Sequence, residues 1–239
     1  MADKVVAEHS TPANLQVIYE DNHLIAVNKR VGDIVQGDTT GDTPLSEVVK
    51  EYLKIKYNKP GNVYTGVVHR IDRPVSGVVL FAKTSKALPR LNKLFQTRDA
   101  KKCYWAVVQN RPPKDSDTLV QYLYKVEKNN KSYALNKPRD DAKRSELTYR
   151  LLDQSKDYFL LEVLPETGRH HQIRVQLAAM GCPIKGDLKY GAARSNANGG
   201  IHLHARELQL IHPVSNEPLH LIAPVPDDTL WKFFEKQVG

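Results

Sequence analysis

Short apolar runs separated by turn residues dominate the chain, and that rhythm predicts many brief strands with few helices between them. Two runs, QVIYED and HLIAVNK, flank an Asp-Asn turn and predict an opening hairpin over 16–29. After a loop rich in Gly, Asp and Thr, Thr43 is placed to cap a helix with Pro44 at its first position. Val48, Val49, Leu53 and Tyr57 would form the inner face of that helix. Val67 to His69 and Val78 to Lys83 read as strands on either side of an Arg, Asp, Pro and Gly segment. Ser85 then begins a helix whose Leu88, Leu91, Leu94 and Phe95 recur at helical spacing, which turns Arg90, Lys93 and Arg98 to water.

The aromatic and β-branched run from Cys103 to Val108 reads as a strand, and the polar stretch over 125–144 that follows reads as a protruding basic hairpin or arm. ELTYRLLD and YFLLEVLP predict two strands joined by QSKD. ETGRHHQIRVQLAAMG then reads as a turn feeding a helix that stops at Gly181. Ile201 to His204, Glu207 to Ile211 and His220 to Ile222 predict three more strands. A final helix begins at Asp227 or Asp228 and carries Leu230, Trp231, Phe233 and Phe234. Many hairpin-like strands with few helices give an α+β fold, with a mixed, mostly antiparallel central sheet flanked by helices.

At 239 residues, with 41% hydrophobic positions, the chain is long enough for one domain or for two small subdomains sharing a core. The first 14 residues read as loosely ordered. Runs such as Val78 to Ala82 and Leu219 to Val225 fall far short of the roughly 20 apolar residues of a membrane span. The opening residues lack a secretory pattern, so a cytoplasmic protein with no membrane partner is expected. Cys103 and Cys182 form no CxxC pair, which removes a disulfide framework and a cysteine zinc site from the expectations.

Charge changes the picture more than composition does. The net charge is +8, yet Lys83 to Lys102 holds seven basic residues and one acid, and Lys125 to Arg144 holds seven and three. Those two segments together exceed the whole net charge, so the rest of the chain is slightly acidic. Such local excess is what an RNA or DNA backbone would attract; solvated, solubilising faces would look the same.

The chain has no Walker A loop, GxGxxG, HExxH or GxSxG, which removes the usual signatures of nucleotide hydrolysis, dinucleotide redox chemistry, zincin proteolysis and α/β-hydrolase chemistry. Three segments remain. In HRIDRPVSG, Asp72 sits between Arg70 and Arg73, and neighbouring cations favour the ionised form that a nucleophile or base requires; a loop ion pair is the alternative. KKCYWAVV places Tyr104 and Trp105 on opposite strand faces, where a core role is the alternative. ETGRHHQIR sets His170 and Arg174 four apart, on one helical face near the helix start, where the Arg could clamp a carboxylate or phosphate.

Taken together, these segments resemble the RluA family of pseudouridine synthases. HRIDRPVSG resembles HRLDxxTSG, KKCYWAVV resembles KxYxAxV, and TGRHHQIRVQLAAMGCPIKGDLKYG resembles TGRxHQIRxHLxxxGxPIxGDxxYG. EDNHLIAVNKRVG and IHLHARELQLIHPVSNEPLHLIAPVP resemble the strand pair ending in NKPxG and the closing HAxxLxxxHP block, so the likeness runs in order from about Val17 to the C-terminus. It implies a single catalytic domain over 15–239, two subdomains sharing one sheet with a cleft between them; an S4-type RNA-binding domain is not expected, because the 14 residues before Leu15 are too few to form one.

The resemblance also implies roles. Asp72 would attack or deprotonate the ribose, so that the base detaches, rotates and rejoins through C5. Arg70 would fill the space of the flipped uridine, Tyr104 would stack near the base and help remove the C5 proton, and Arg174 would pair with Asp72. His69, Arg73, Arg169 and His170 would touch substrate, and Lys125, Lys128, Lys131 and Arg144 would meet RNA phosphates. The implied partner is RNA, ribosomal before transfer RNA, met by a monomer that uses no cofactor and no metal.

Departures from the pattern are Ile71 for Leu, Pro74 and Val75 beside Asp72, Arg30 for the Pro of NKPxG, and Gln176 for His. None replaces an implied catalytic group. Two other classes stand beside this reading. A metal-dependent phosphoesterase is suggested by His202 and His204 on one strand face with His170 and His171 elsewhere, though no acidic partners are spaced to complete a site. An RNA-binding module of the same fold without catalysis is the other.

Overall fold

The computed structural model describes residues 8–238. In chain order they form β1 (Val17–Glu20), β2 (Leu24–Lys29), α1 (Leu45–Lys56), β3 (Gly66–Val67), β4 (Ser76–Ala82), α2 (Ala87–Thr97), β5 (Lys101–Val108) and β6 (Ser116–Val126). Then follow β7 (Lys131–Leu135), β8 (Lys143–Gln154), β9 (Phe159–Pro165), α3 (Gln172–Ala179), β10 (Leu203–Ile211), β11 (Pro218–Ile222) and α4 (Thr229–Val238). The fold is α+β with mostly antiparallel pairing, as the alternation of short runs predicts. No helix among the described residues is long and apolar enough to cross a membrane.

Two compact units emerge, Met1–Lys102 with Ala205–Pro226, and Cys103–His204 with Asp227–Gly239. In the first, β2 pairs with β1 and with β4, β3 pairs with β4, and β11 pairs with β10, all antiparallel. Every residue of β2 and β4 is buried, and Leu24, Leu80, Leu91 and Leu208 share one core cluster with Leu221. Each such leucine contributes about 1.5–3 kcal/mol by leaving water. Gly77 enters β4 at φ +119°, and a Cβ there would run into the backbone of Ala205, so only glycine lets the chain approach β10 so closely.

In the second unit β5, β9, β8, β6 and β7 pair antiparallel in that order, and α3 packs Val175 with Leu123 and Tyr190. The basic stretch over 125–144 is indeed a hairpin: β6 and β7 close through a single 3-10 turn over 127–129, with Asn130 in the left-handed region.

Several local expectations are corrected. Thr43 does not cap α1. Pro44 holds the cap position in an extended conformation, and the first helical N–H groups reach loop carbonyls instead, Leu45 to Ile34 at 2.7 Å and Ser46 to Val35 at 3.2 Å. Tyr57 is not on the inner face. Its hydroxyl donates to Glu20 at 2.7 Å, which draws the ring to the surface beside Lys56 and Lys83. At α2 it is Thr84, not Ser85, whose hydroxyl accepts the Ala87 N–H.

The expected break between two strands at Ala205 and Arg206 does not exist, because Arg206 donates to the Ala223 carbonyl at 2.7 Å and accepts the Ala223 N–H through its own. The charge is absorbed by the neighbouring chain and β10 runs straight through. Of the opening stretch expected to be loose, 1–7 lie outside the described residues. Within 8–14, Ser10 donates its N–H to Asp33 at 3.1 Å and Thr11 donates to Asn14 at 2.7 Å.

Candidate active site

The turn bearing Asp72 is built from backbone. Val75 N–H closes on the Asp72 carbonyl at 3.0 Å, and the Arg73 carbonyl accepts both the Gly32 N–H at 3.0 Å and the Lys29 ammonium at 3.1 Å. Lys29 also donates to the Arg30 carbonyl at 2.8 Å. It is fully buried, and burial pushes its pKa down to about 7 against the pull of Asp33 and Asp72. A buried lysine thus holds the loop by its carbonyls, while the Asp72 side chain is half-buried.

The neighbours of Asp72 divide in role. Arg70 is exposed. Arg73 is spent on the fold, donating from Nε to the Gly32 carbonyl at 3.1 Å and forming an ion pair with Asp42. His69 turns inward, with Nε2 accepting the Leu80 N–H at 3.0 Å and the ring stacked on Phe95 at 4.7 Å. Burial, helped by Lys102, holds its pKa near 3, so the imidazole is a neutral structural acceptor.

Tyr104 and Arg174 belong to the second unit. Tyr104 is half-buried on β5, opposite Val163 of β9, while Trp105 faces the other way and is 6% exposed. The turn before α3 is locked by side-chain amide bonds. Gln172 accepts from the Thr167 hydroxyl at 2.8 Å and from the Arg169 N–H at 3.0 Å, and donates to the Glu146 carbonyl at 3.0 Å.

The expected shared helical face of His170 and Arg174 is not formed. His171 lies in the left-handed region at φ 54°, which kinks the chain so that α3 starts only at Gln172 and His170 stays outside it. His170 instead meets the Ser132 hydroxyl through Nδ1 at 2.8 Å and stacks on His171 at 3.7 Å.

Arg174 is 5% exposed and forms a bidentate pair with the equally buried Asp187, Nε at 2.7 Å and a terminal nitrogen at 2.9 Å. Its guanidinium lies 5.1 Å from the centre of the Tyr190 ring. The Tyr190 hydroxyl accepts the Ser132 N–H at 2.9 Å and is hydrogen-bonded to Nδ1 of His171 at 2.8 Å. Burial, with Arg174 and His170 nearby, holds the His171 pKa near 2, so the ring is neutral.

The β6–β7 hairpin carries exposed Lys125 and Lys128, with Lys131 held over both Tyr133 and Tyr190. Lys125 pairs with Glu127 at 2.7 Å and Arg144 with Glu146 at 2.6 Å. Such exposed pairs are worth about 0–1 kcal/mol and exchange readily for phosphate. Arg169 is exposed beside the Arg144 carbonyl. His202 has both ring nitrogens engaged, with Asn196 at 3.0 Å and Asp228 at 3.1 Å. Among the described residues no group of three or more His, Cys, Asp or Glu is placed to hold a metal.

The RNA pseudouridylate synthase family model matches residues 23–179. This chain belongs to the RNA pseudouridylate synthase family. It is 32% identical over 235 residues to the ribosomal large subunit pseudouridine synthase D of Xanthomonas campestris pv. campestris, covering 92% of this chain and 69% of that protein. It is 32% identical to the ribosomal large subunit pseudouridine synthase C of Vibrio cholerae, covering 87% and 65%, and 36% identical to the tRNA pseudouridine synthase C of Pectobacterium carotovorum, covering 94% and 62%. The chain therefore spans about two thirds of the length of these relatives. The fold matches that of human RNA pseudouridylate synthase domain containing 4, with a TM-score of 0.77 at 23% identity over 94% of each chain.

Within this RNA pseudouridylate synthase, sequence reasoning passed over Lys29, Asp187 and Tyr190, and weighed His171 only as a metal ligand. The pattern GDLKYG held a signal, an acid and a tyrosine three apart after a glycine. Gly186 sits at φ +89° against Asn196, which leaves no room for a Cβ beside Asp187.

Proposed function

We propose that the chain is a cofactor-independent enzyme that isomerises uridine to pseudouridine in structured RNA, with ribosomal RNA as the substrate, acting as a monomer in the cytoplasm. The observation that carries the reading is the HRIDRPVSG turn, where one carboxylate, Asp72, projects from a backbone pinned by buried Lys29. Fixing the turn by its carbonyls sets the position from which the Asp72 carboxylate does covalent or proton chemistry at the ribose. Tyr104 stacks near the base and assists loss of the C5 proton, Arg174 supplies fixed positive charge, and Arg70 takes the space of the extruded nucleotide.

A detached uracil anion needs no redox partner and no metal; it needs enclosure and charge. Extruding the base from paired RNA costs a few kcal/mol, which phosphate contacts from Lys125, Lys128, Lys131, Arg144 and Arg169 offset. Two of the three relatives described above are named for the large ribosomal subunit, which supports ribosomal RNA as the target.

The test is incubation with unmodified ribosomal and transfer RNA transcripts in EDTA, followed by carbodiimide labelling and primer extension. The expected result is new stops with the wild type that vanish in Asp72→Ala and Asp72→Asn, while RNA binding persists in both. Wild-type rates in either variant would overturn the role of Asp72, and RNA binding with no turnover by the wild type on any transcript would favour a binding module.

A further inference from the structure

We infer that Tyr190 is a positioning residue that joins the β6–β7 hairpin to Arg174, so that RNA seated on the hairpin sets the guanidinium; this rests on the function proposed above. The joint is made of two hydrogen bonds and the ring contacts of one side chain. Its hydroxyl accepts from Ser132 N–H, in β7, and is hydrogen-bonded to Nδ1 of His171, the residue that kinks the chain into α3. Its ring meets His171 edge-on at 88° and lies beneath both Arg174 and Lys131, at 5.1 and 5.2 Å.

The tyrosine is also tied to the backbone of the residue that holds Arg174, since Tyr190 N–H donates to the Asp187 main-chain carbonyl at 3.0 Å. A second strap lies outside it. Lys189 donates to the Asn130 carbonyl at the hairpin tip at 3.0 Å, and the Ser132 hydroxyl holds His170. Phosphates drawn to Lys125, Lys128 and Lys131 therefore cannot shift β7 without moving Tyr190, and Tyr190 cannot move without moving the turn that grips Arg174. A tyrosine that only filled space would need its ring and not its hydroxyl.

Tyr190→Phe keeps the ring and removes the joint. In single-turnover assays at saturating RNA the rate is expected to fall by about 10-fold or more, with affinity changed by less than about 2-fold, because misplacement rather than lost binding is responsible. Lys125→Ala with Lys128→Ala should lower the saturating rate in the wild type and add nothing in the Tyr190→Phe background. Additive losses, or a wild-type saturating rate in Tyr190→Phe, would overturn the inference while leaving the proposed function intact. Lys189→Gln, at an exposed position that cannot compromise folding, should move the rate in the same direction by about 3-fold.

A readout without turnover keeps the two claims apart. RNA addition should shift the Arg174 Nε–H resonance in the wild type and leave it unmoved in Tyr190→Phe. Equal shifts in both proteins would refute the joint even if every transcript proved unreactive, an outcome that would instead defeat the proposed function.

Discussion

The turn that bears Asp72 and the side chain of Arg174 are fixed at different groups. The Asp72 turn is fixed through main-chain carbonyls, with Lys29 gripping those of Arg30 and Arg73, and its carboxylate is left half-buried. Arg174 is fixed through its side chain, its edge on Asp187 and its face on Tyr190, and almost none of it reaches solvent. On the function proposed above, Arg174 serves as a fixed charge, and such a charge works best when immobilised and desolvated, which is the setting it has here.

The comparison breaks most visibly at Asp187. Asp187→Ala removes the bidentate partner of a buried guanidinium, and that class of loss costs about 3–5 kcal/mol because a desolvated charge remains behind. Urea unfolding should place the midpoint well below that of the wild type. A loss under about 1 kcal/mol would mean that Arg174 is gripped mainly by something other than Asp187.

How much of this was written in the chain differs between the two regions. The strands around Asp72 were legible because β2 and β4 contain the apolar runs over 24–27 and 78–82, and Asp72 itself stood out between two arginines. The bracket around Arg174 was not, because it depends on His171 adopting a left-handed conformation that no periodicity announces. It depends also on Asp187, which lies 13 residues away across a turn. Helical spacing assumed that the helix began before His170 and so joined the wrong pair. The cap at Thr43 failed for a related reason: the α1 start is satisfied by carbonyls of Ile34 and Val35, and tertiary partners leave no trace in local sequence.

Acid sharpens the comparison, since each region contains one neutral histidine with a strongly lowered pKa. His69 beside Asp72 is held near a pKa of 3 and His171 beside Arg174 near 2, both against an ordinary value of 6.5. The unfolded chain takes up these protons as pH falls through 6.5 and the native state does not. The stability they contribute is therefore complete above that pH and drains away below it, by about 1.4 kcal/mol per pH unit for each ring. Unfolding midpoints should drop steeply between about pH 6.5 and pH 4, with both Hε1 resonances unmoved over that range in the native protein. A native titration near pH 6 in either ring would show that its region admits water.

The smallest expected effect is at Lys29, and it separates holding a backbone from holding a charge. Lys29→Met keeps the length of the side chain and removes the donor to two carbonyls, but it also removes an amine that burial has already driven towards neutrality. The lost hydrogen bonds cost about 1–2 kcal/mol, and the relief of desolvation returns part of it, so a net loss of about 1 kcal/mol is expected. Activity should fall further than stability, because the Arg73 carbonyl keeps only its bond from Gly32 and the Asp72 turn loosens. If Lys29→Met lowered the unfolding midpoint as much as Asp187→Ala while leaving turnover untouched, the lysine would be serving the core and not the turn, and the contrast between the two regions would collapse.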